Sequence, residues 1–292
     1  MSIRLDRELV ERGLARSRGH ARELIDAGSV SLPGIPEPKA STLVAAGTQI
    51  AVREGSPPWV GRGAYKLVAA LASFGSDGLS VEGRRAIDVG ASTGGFTQVL
   101  LAAGATSVAA LDVGHDQLAA AVRNDPRVHD LSGRSVRGVV PQAVGAPFDV
   151  LVADLSFISL RLVMADLHGL VWDTGDAVLL VKPQFEVGRE RLGKGGIVRE
   201  PAHRAMALRG VVEAAGAVGW SVHGLDSSPI AGGTGNIEYL LWLSPRRVGA
   251  WPDQRVDLRI REISGADAAA GPGDGGGHAQ PGPGHVAGCT RP

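Results

Sequence analysis

The sequence predicts an α/β protein with a doubly wound, mainly parallel sheet, preceded by a small α+β domain. Three observations lead to this prediction. Apolar runs alternate with helical patterns over residues 62–249, the first of these runs leads into a glycine-rich turn, and a separate unit of two helices and short strands occupies residues 1–54. The turn-rich stretch 55–61 predicts a linker, and 250–292 predicts an extension with a disordered Gly/Pro-rich tail from about residue 264.

The individual elements follow from local patterns. In the first domain, Leu5, Leu9 and Leu14 share a helical face, and a second helix is predicted from Ser17 to Gly28. Alternating residues predict short strands at 30–32 and 48–52. In the larger domain, strands are predicted at 86–89, 108–113, 148–153, 177–181, 220–225 and 239–243, and helices at 62–74, 97–104, 115–123, 160–171 and 203–218.

Composition narrows the class of protein. The chain has 292 residues, 44% hydrophobic and 21% charged, which is typical of a globular protein, and its formal net charge of zero means that a nucleic-acid surface must come from local charge clusters. The single cysteine, Cys289, excludes an internal disulfide, and no apolar stretch reaches the ~18 residues of a membrane span. We therefore expect a cytoplasmic protein without a membrane partner. His278, His285 and Cys289 lie in the glycine-rich tail without a packed scaffold, so no metal site is predicted.

The glycine-rich turn predicts a cofactor site. Gly90, Gly94 and Gly95 lie between a strand and a helix that Thr97 opens, and glycine lets the backbone approach a ligand closely. The spacing G-x-x-x-G-G differs from the dinucleotide pattern G-x-G-x-x-G, and Asp88, two residues before the first glycine, can take an ammonium group. This favours S-adenosylmethionine over NAD. The predicted cofactor residues in and before the turn are Asp88, Gly90, Ala91, Ser92, Gly94, Gly95 and Phe96.

Two further acids end predicted strands. Asp112 lies about twenty residues beyond the turn, where a carboxylate can receive the two ribose hydroxyls of an adenosine, and a helix cap is the alternative interpretation. Asp154 follows a strongly apolar strand and is predicted both to contact the cofactor and to take part in catalysis.

Three more charged residues complete a candidate catalytic site. Lys182 ends another apolar strand, where a lysine is costly unless it is paired or functional, and a snorkelling surface lysine is the alternative. Lys66 lies in the first turns of the predicted helix 62–74. Glu238 begins the last strand, so it joins the others only if that strand is antiparallel. Lys66, Asp154, Lys182 and Glu238 would then place two cations and two anions around one cleft.

The first domain carries a local positive cluster. Residues 1–22 hold six arginines against three acids, and a solvated helix face is the alternative to a binding surface. The pattern Arg4-Leu-Asp6, Ser17-Arg18 and Ala21-Arg-Glu-Leu-Ile25 resembles the small RNA-binding domain typified by the fourth small-subunit ribosomal protein. The resemblance implies that structured RNA is bound, mainly through phosphates, by Arg4, Arg16, Ser17, Arg18 and Arg22.

The tetrad Lys66, Asp154, Lys182 and Glu238 resembles that of FtsJ-type ribose 2′-O-methyltransferases. With the first domain, the chain to about Leu243 is similar to the TlyA (hemolysin A) family of rRNA 2′-O-methyltransferases. The matching blocks are Arg62-Gly-Ala-Tyr-Lys-Leu67, Asp88-Val-Gly-Ala-Ser-Thr-Gly-Gly-Phe-Thr97, Asp154-Leu-Ser-Phe-Ile-Ser159, Lys182-Pro-Gln-Phe-Glu-Val-Gly188 and Gly235-Asn-Ile-Glu-Tyr239. The sequence departs from that family at Leu131-Ser-Gly-Arg-Ser-Val-Arg137, where the family has an acid followed by Arg-Thr-Asn, on the adenine side of the cofactor.

This resemblance implies a Rossmann-like methyltransferase fold whose last strand is antiparallel. It also implies methylation of a ribose, that of cytidine, in the RNA of one or both ribosomal subunits. A ribose 2′-hydroxyl is a poor nucleophile, so a base must take or steer its proton. Lys182 is the candidate for this base and Lys66 for orienting the hydroxyl, although the roles of the two lysines could be exchanged. A non-catalytic rRNA-binding or assembly factor and a membrane-active haemolysin are the alternative functions.

Overall fold

The computed structural model describes residues 2–15, 18–26, 28–36, 38–45, 47–52 and 59–266. Its first part is a small α+β unit with two helices, α1 (Leu5–Glu11) and α2 (Arg18–Asp26). Its described strands are β1 (Ser2–Arg4), β2 (Val30–Ser31), β3 (Leu43–Ala45) and β4 (Ala51–Val52), of which β1 pairs with β3 and β2 with β4, both antiparallel. Leu5 and Leu9 of α1 are fully buried against Leu24 of α2 and Val44 of β3. This unit therefore has its own apolar core.

The remaining described residues contain a seven-stranded sheet. Its strands are β5 (Arg85–Val89), β6 (Ser107–Asp112), β7 (Val128–Ser132), β8 (Phe148–Ala153), β9 (Val171–Val181), β10 (Ser221–Ser227) and β11 (Tyr239–Ser244), in the spatial order β10-β11-β9-β8-β5-β6-β7. The five strands from β9 to β7 are parallel, and β11 is antiparallel to both of its neighbours. The strand order reverses between β5 and β8, which is where ligands bind in sheets of this kind.

Helices cover both faces of the sheet, and this explains why its central strands are continuously apolar. The helices are α3 (Ala64–Gly75), α4 (Gly95–Ala102), α5 (Ala120–Arg123), α6 (Met164–His168), α7 (Pro183–Glu186), α8 (Pro201–Ala217) and α9 (Asp253–Ser264). On β8, Val150 packs in the cluster that contains Leu67 of α3, and the next residue, Leu151, packs in the cluster that contains Leu208 of α8. The predicted fold class, including the antiparallel last strand, is confirmed.

Several elements differ from the predictions. Strand β7, with the mostly polar sequence Val-His-Asp-Leu-Ser, was not predicted, because an edge strand pairs on one side only and needs little apolar surface. The predicted helix 115–123 is reduced to α5. The predicted helix 160–171 is instead a 3-10 turn, Leu160–Leu162, followed by α6, and Val171 already belongs to β9. Strands β1 and β3 were also not predicted.

The extension predicted at 250–292 contains helix α9, which buries Val256 and Ile260 one helical turn apart. The predicted linker falls mostly on residues 53–58 and the predicted tail mostly on 267–292, and both of these ranges lie outside the described residues, as do Arg16 and Ser17. The domain boundaries at 1–54, 55–61 and 62–249 stay predictions.

Candidate active site

The glycine turn connects β5 to α4 in a backbone conformation that glycine favours. Gly90 has a φ of 87°, and a Cβ atom on it would lie 2.8 Å from the backbone oxygen of Asp154. Gly94, before the first residue of α4, has a φ of 92°, and a Cβ atom there would lie 2.9 Å from Cγ1 of Val122. Gly95 and Phe96, at the N-terminus of α4, line a cavity beside the turn, and a helix N-terminus suits a carboxylate such as that of methionine. These residues therefore fit S-adenosylmethionine.

Asp88 lies beneath the turn and is fully buried. Its Oδ2 accepts hydrogen bonds from the backbone N (2.8 Å) and from the hydroxyl (2.7 Å) of Thr97, whereas Oδ1 has no hydrogen-bond partner among the described residues. Burial raises the pKa of this carboxyl to about 7, although the hydrogen bonds from Thr97 act in the opposite direction. Asp88 thus holds the start of α4, and its contact with the ammonium group of a cofactor stays a prediction that depends on Oδ1.

Asp112 supports the turn from the end of β6. Its Oδ2 accepts a hydrogen bond from the backbone N of Ser92 (2.8 Å), and its Oδ1 accepts one from the backbone N of Gly114 (2.7 Å). Asp112 therefore braces two loops and, among the described residues, caps neither α4 nor α5, so the structure does not show the helix cap of the alternative interpretation. Because each carboxylate oxygen can accept a second hydrogen bond, the predicted contact with ribose hydroxyls stays compatible with this geometry.

Two cavities flank the turn, and Gly90, Ser92 and Asp154 line both. The first, of about 380 Å³, reaches Lys66 and contains six predicted cofactor residues: Gly90, Ala91, Ser92, Gly95, Phe96 and Asp154. The second, of about 430 Å³, contains Asp112 and is also lined by Ser135 and Val136. A long ligand with a polar end and a flat heterocyclic end would fit across the two. Ser135 and Val136 belong to the segment 131–137, which the family resemblance places on the adenine side of the cofactor.

The four predicted catalytic residues converge beside the first cavity. Lys66 Nζ lies 2.6 Å from Glu238 Oε2 and 3.8 Å from Asp154 Oδ2, and Lys182 Nζ lies 2.6 Å from Asp154 Oδ1. Charges of opposite sign thus alternate in the order Glu238, Lys66, Asp154, Lys182. Both lysines are buried, with about a tenth or less of each side chain exposed. A surface lysine at position 182, the alternative interpretation, does not agree with this burial.

Pairing in the sheet explains this convergence. Asp154 and Lys182 each directly follow a parallel strand, β8 and β9, and so lie at the same edge of the sheet. Strand β11 runs the other way, and its first residue, Tyr239, pairs with Val181. Glu238 is therefore placed beside Lys182 although it precedes its strand rather than following it.

The segment after Asp154 completes the surroundings of the tetrad. Lys182 Nζ donates a hydrogen bond to Ser156 Oγ (2.9 Å), and Phe157, 92% exposed with a left-handed φ of 65°, has its ring centroid 5.5 Å from that of Phe185. The buried Glu186 of α7 accepts hydrogen bonds from Ser159 Oγ (2.6 Å) and from the backbone N of Leu160 (2.8 Å). Glu186 therefore ties this segment to the helix that follows Lys182. Burial raises the pKa of Glu186.

In the first unit, the predicted RNA-binding residues Arg4, Arg18 and Arg22 lie around one carboxylate, Asp6, which the sequence analysis did not single out. Each of the three arginine side chains is about half exposed. The other two predicted residues, Arg16 and Ser17, lie outside the described residues.

None of the helices in the described part of the chain combines the length and the apolarity that a bilayer crossing requires. In the same ranges, no three side chains of the metal-ligating types His, Cys, Asp and Glu come together in a way that could hold an ion.

Comparisons with known proteins agree with this architecture. The family model of FtsJ-like methyltransferases matches residues 59–244, and that of the S4 domain matches residues 3–50. The chain is 50% identical over 241 residues, 82% of its length and 89% of the relative's, to the 16S/23S rRNA (cytidine-2′-O)-methyltransferase TlyA of Mycobacterium tuberculosis. It is 36% identical to Hemolysin A of Brachyspira hyodysenteriae, over 82% of this chain and 98% of that one.

A solved structure also matches most of the chain. It is named "Putative hemolysin from Streptococcus thermophilus", is 37% identical, and has a TM-score of 0.68 over 92% of this chain and 98% of that one. The resemblance inferred from the sequence is thereby confirmed. The chain belongs to the FtsJ-like methyltransferases, in the TlyA (hemolysin A) group that carries an S4 domain in front of the methyltransferase domain.

Proposed function

We propose that this protein transfers a methyl group from S-adenosylmethionine to the 2′-hydroxyl of a cytidine ribose in ribosomal RNA. The observation that carries the proposal is the chain of alternating charges from Glu238 to Lys182, which lies directly beside the glycine turn. The names of the relatives support the same reaction and substrate, and a ribosomal substrate would place it in the cytoplasm.

The residues that would hold the cofactor divide between the two cavities. The turn from Gly90 to Gly95 and Asp154 would hold the methionine part, and Asp112 with Ser135 and Val136 would hold the adenosine part. When bound there, S-adenosylmethionine supplies an electrophilic methyl group. Lys182 lines neither cavity, so removing its amine should affect proton handling more than cofactor binding.

Lys182 and Lys66 act on the ribose hydroxyl in this proposal. As a neutral amine, Lys182 Nζ, held between Asp154 Oδ1 and Ser156 Oγ, takes the proton that leaves the 2′-oxygen and becomes an ammonium. As an ammonium it would only steer that proton. Lys66, held by Glu238, orients the hydroxyl and stabilises the negative charge that develops on its oxygen. The two carboxylates restrict both amines to fixed positions, and such positioning accounts for much of the catalysis of a transfer reaction.

The S4 domain supplies affinity for the RNA through its arginine cluster, since contacts to phosphates dominate such binding. The exposed ring of Phe157, next to Ser156, offers an apolar face on which an unstacked base can pack. The partner is therefore ribosomal RNA, as free RNA or within a ribosomal subunit.

Nucleoside mass spectrometry tests the proposal. Ribosomal RNA and ribosomal subunits from cells that lack the protein are incubated with it and S-adenosylmethionine, digested to nucleosides and analysed. We expect 2′-O-methylcytidine to form only when both protein and cofactor are present. Binding of rRNA without any methylated nucleoside would instead indicate a non-catalytic assembly factor, and permeabilisation of liposomes without cofactor would indicate a haemolysin.

A further inference from the structure

Asp6 is the buried centre of the arginine cluster. Its side chain has no exposed surface, and its Oδ1 lies 3.0 Å from Arg4 Nε. Its Oδ2 lies 3.1 Å from a second nitrogen of Arg4, 2.9 Å from Arg18 and 3.6 Å from Arg22. The guanidinium groups of Arg4, at the end of β1, and of Arg18 and Arg22, on α2, thus converge on one carboxylate.

The arrangement leaves positive charge and hydrogen-bond donors available. Three arginines against one carboxylate leave two uncompensated positive charges in the group. Each guanidinium has five N–H donors, and even Arg4, which forms two hydrogen bonds with Asp6, keeps donors in its half-exposed side chain. The hydrogen bond from Arg4, with that from Arg18, holds the pKa of Asp6 well below its usual range, so the central negative charge persists at neutral pH.

Without Asp6, the three guanidinium groups would repel one another. Long side chains at a surface sample many rotamers, and fixing them on binding opposes association. Because a buried carboxylate already restricts three such side chains, less conformational entropy is lost when the RNA binds. Arginine is suited to such double use, because one edge of its planar fork can pair with a carboxylate and another with a phosphate.

We propose that Asp6 is a positioning residue for RNA recognition, and that it holds Arg4, Arg18 and Arg22 as one preformed site for RNA phosphates. The proposal rests on the proposed function, because it assumes that the S4 domain binds ribosomal RNA. Asp6 would thus support RNA binding indirectly, although a carboxylate by itself is repelled by the phosphates of RNA.

The effect on RNA affinity that this role predicts for a substitution of Asp6 is opposite to the effect that net charge alone predicts. Replacing Asp6 by asparagine adds one net positive charge to the cluster. If the arginines acted only through their total charge, Asp6→Asn would tighten RNA binding and steepen its dependence on salt. If Asp6 positions them, Asp6→Asn weakens binding and flattens that dependence, because fewer phosphate contacts form.

The experiment measures equilibrium binding of the full-length protein to purified 23S rRNA at several salt concentrations. Asp6→Asn is compared with Glu11→Gln, which adds the same charge on the same helix but breaks only the exposed pair between Glu11 and Arg7. We expect Asp6→Asn to weaken binding about tenfold and to lower the log–log salt slope by about one. Glu11→Gln should bind as the wild type does, or slightly more tightly. Asp6→Asn binding as tightly as Glu11→Gln would overturn the proposal.

Thermal melting shows whether Asp6→Asn remains folded. If it does not, Arg18→Lys replaces it, because Arg18 is exposed and lysine keeps the charge but not the fork. Weaker rRNA binding by Arg18→Lys supports the proposal, and unchanged binding overturns it. Failure of the wild type to bind rRNA would contradict the proposed function, whereas salt-sensitive binding that either variant leaves intact would contradict only the role of Asp6.

Discussion

Substituting alanine for Gly90 tests the close approach at the centre of the site. The native φ of 87° disfavours any residue with a Cβ atom, at roughly 1–2 kcal/mol. The new Cβ atom would also lie 2.8 Å from the Asp154 backbone oxygen, so either the turn or β8 must shift, and overpacking of this kind costs about 1–3 kcal/mol more. Gly138→Ala is the matched control, because Gly138 has a φ of 70° but no described atom within 4 Å of the new Cβ position.

Urea unfolding of both variants separates the two effects. We expect Gly138→Ala to lose only the conformational part of the free energy of unfolding and Gly90→Ala to lose about 1–3 kcal/mol more. Because the contact joins the turn to Asp154, calorimetric affinity for S-adenosylmethionine should fall more than tenfold in Gly90→Ala and stay unchanged in Gly138→Ala. Equal losses of stability in the two variants, with cofactor affinity intact in both, would refute this reasoning.

Burial raises the folded-state pKa of Asp88 from 3.8 to about 7, so the stability that its protonated form provides is lost as pH rises through that range. The free energy of unfolding of the wild type should therefore fall relative to that of Asp88→Asn by at most about 1.4 kcal/mol per pH unit. Equal pH profiles of the two proteins in urea titrations would exclude such a shift. Glu186→Ala leaves the backbone N of Leu160 and the hydroxyl of Ser159 without their acceptor, so we expect a loss of roughly 1–3 kcal/mol in stability. The effect on kcat should be larger than the effect on cofactor affinity, and Glu186→Gln should lie between Glu186→Ala and the wild type. A kcat of Glu186→Ala equal to that of the wild type would show that these hydrogen bonds do not position the site. Deleting residues 267–292 should leave methylation of rRNA unchanged, because this segment is rich in glycine and Val286 is its only bulky apolar residue. A loss of activity would reveal a function for the tail.

Local chemistry made the glycine turn predictable. The position of the turn between a strand and a helix follows from the glycine spacing, and Asp154 and Lys182 are identified by the apolar strands that they end. The position of Glu238 depends on the pairing of β11 with β9, which is a non-local property of the sheet. The residue pattern alone left the direction of this strand open, and the antiparallel direction was predicted from the family resemblance.

The segment 131–137, which the family resemblance places on the adenine side of the cofactor, contains Ser135 and Val136, and the structure adds that these two residues line the second cavity. The role of Asp6 depends on partners from other parts of the chain. Asp6 was counted as one of three acids among six arginines, and its burial beneath three of them requires the packing of α1 against α2. Helix α9 could have been found, since Val256 and Ile260 share a helical face.

The single-turnover rate of methyl transfer to rRNA by Lys182→Arg, with cofactor affinity measured by calorimetry beside it, tests the central claim most directly. Arginine keeps the positive charge next to Asp154 but cannot accept a proton near neutral pH. If Lys182 is the base, the rate should fall by at least about 100-fold, as it should in Lys182→Ala, while affinity for S-adenosylmethionine stays at the wild-type value. A Lys182→Arg rate within about tenfold of the wild type would contradict the claim that this amine takes the proton from the ribose.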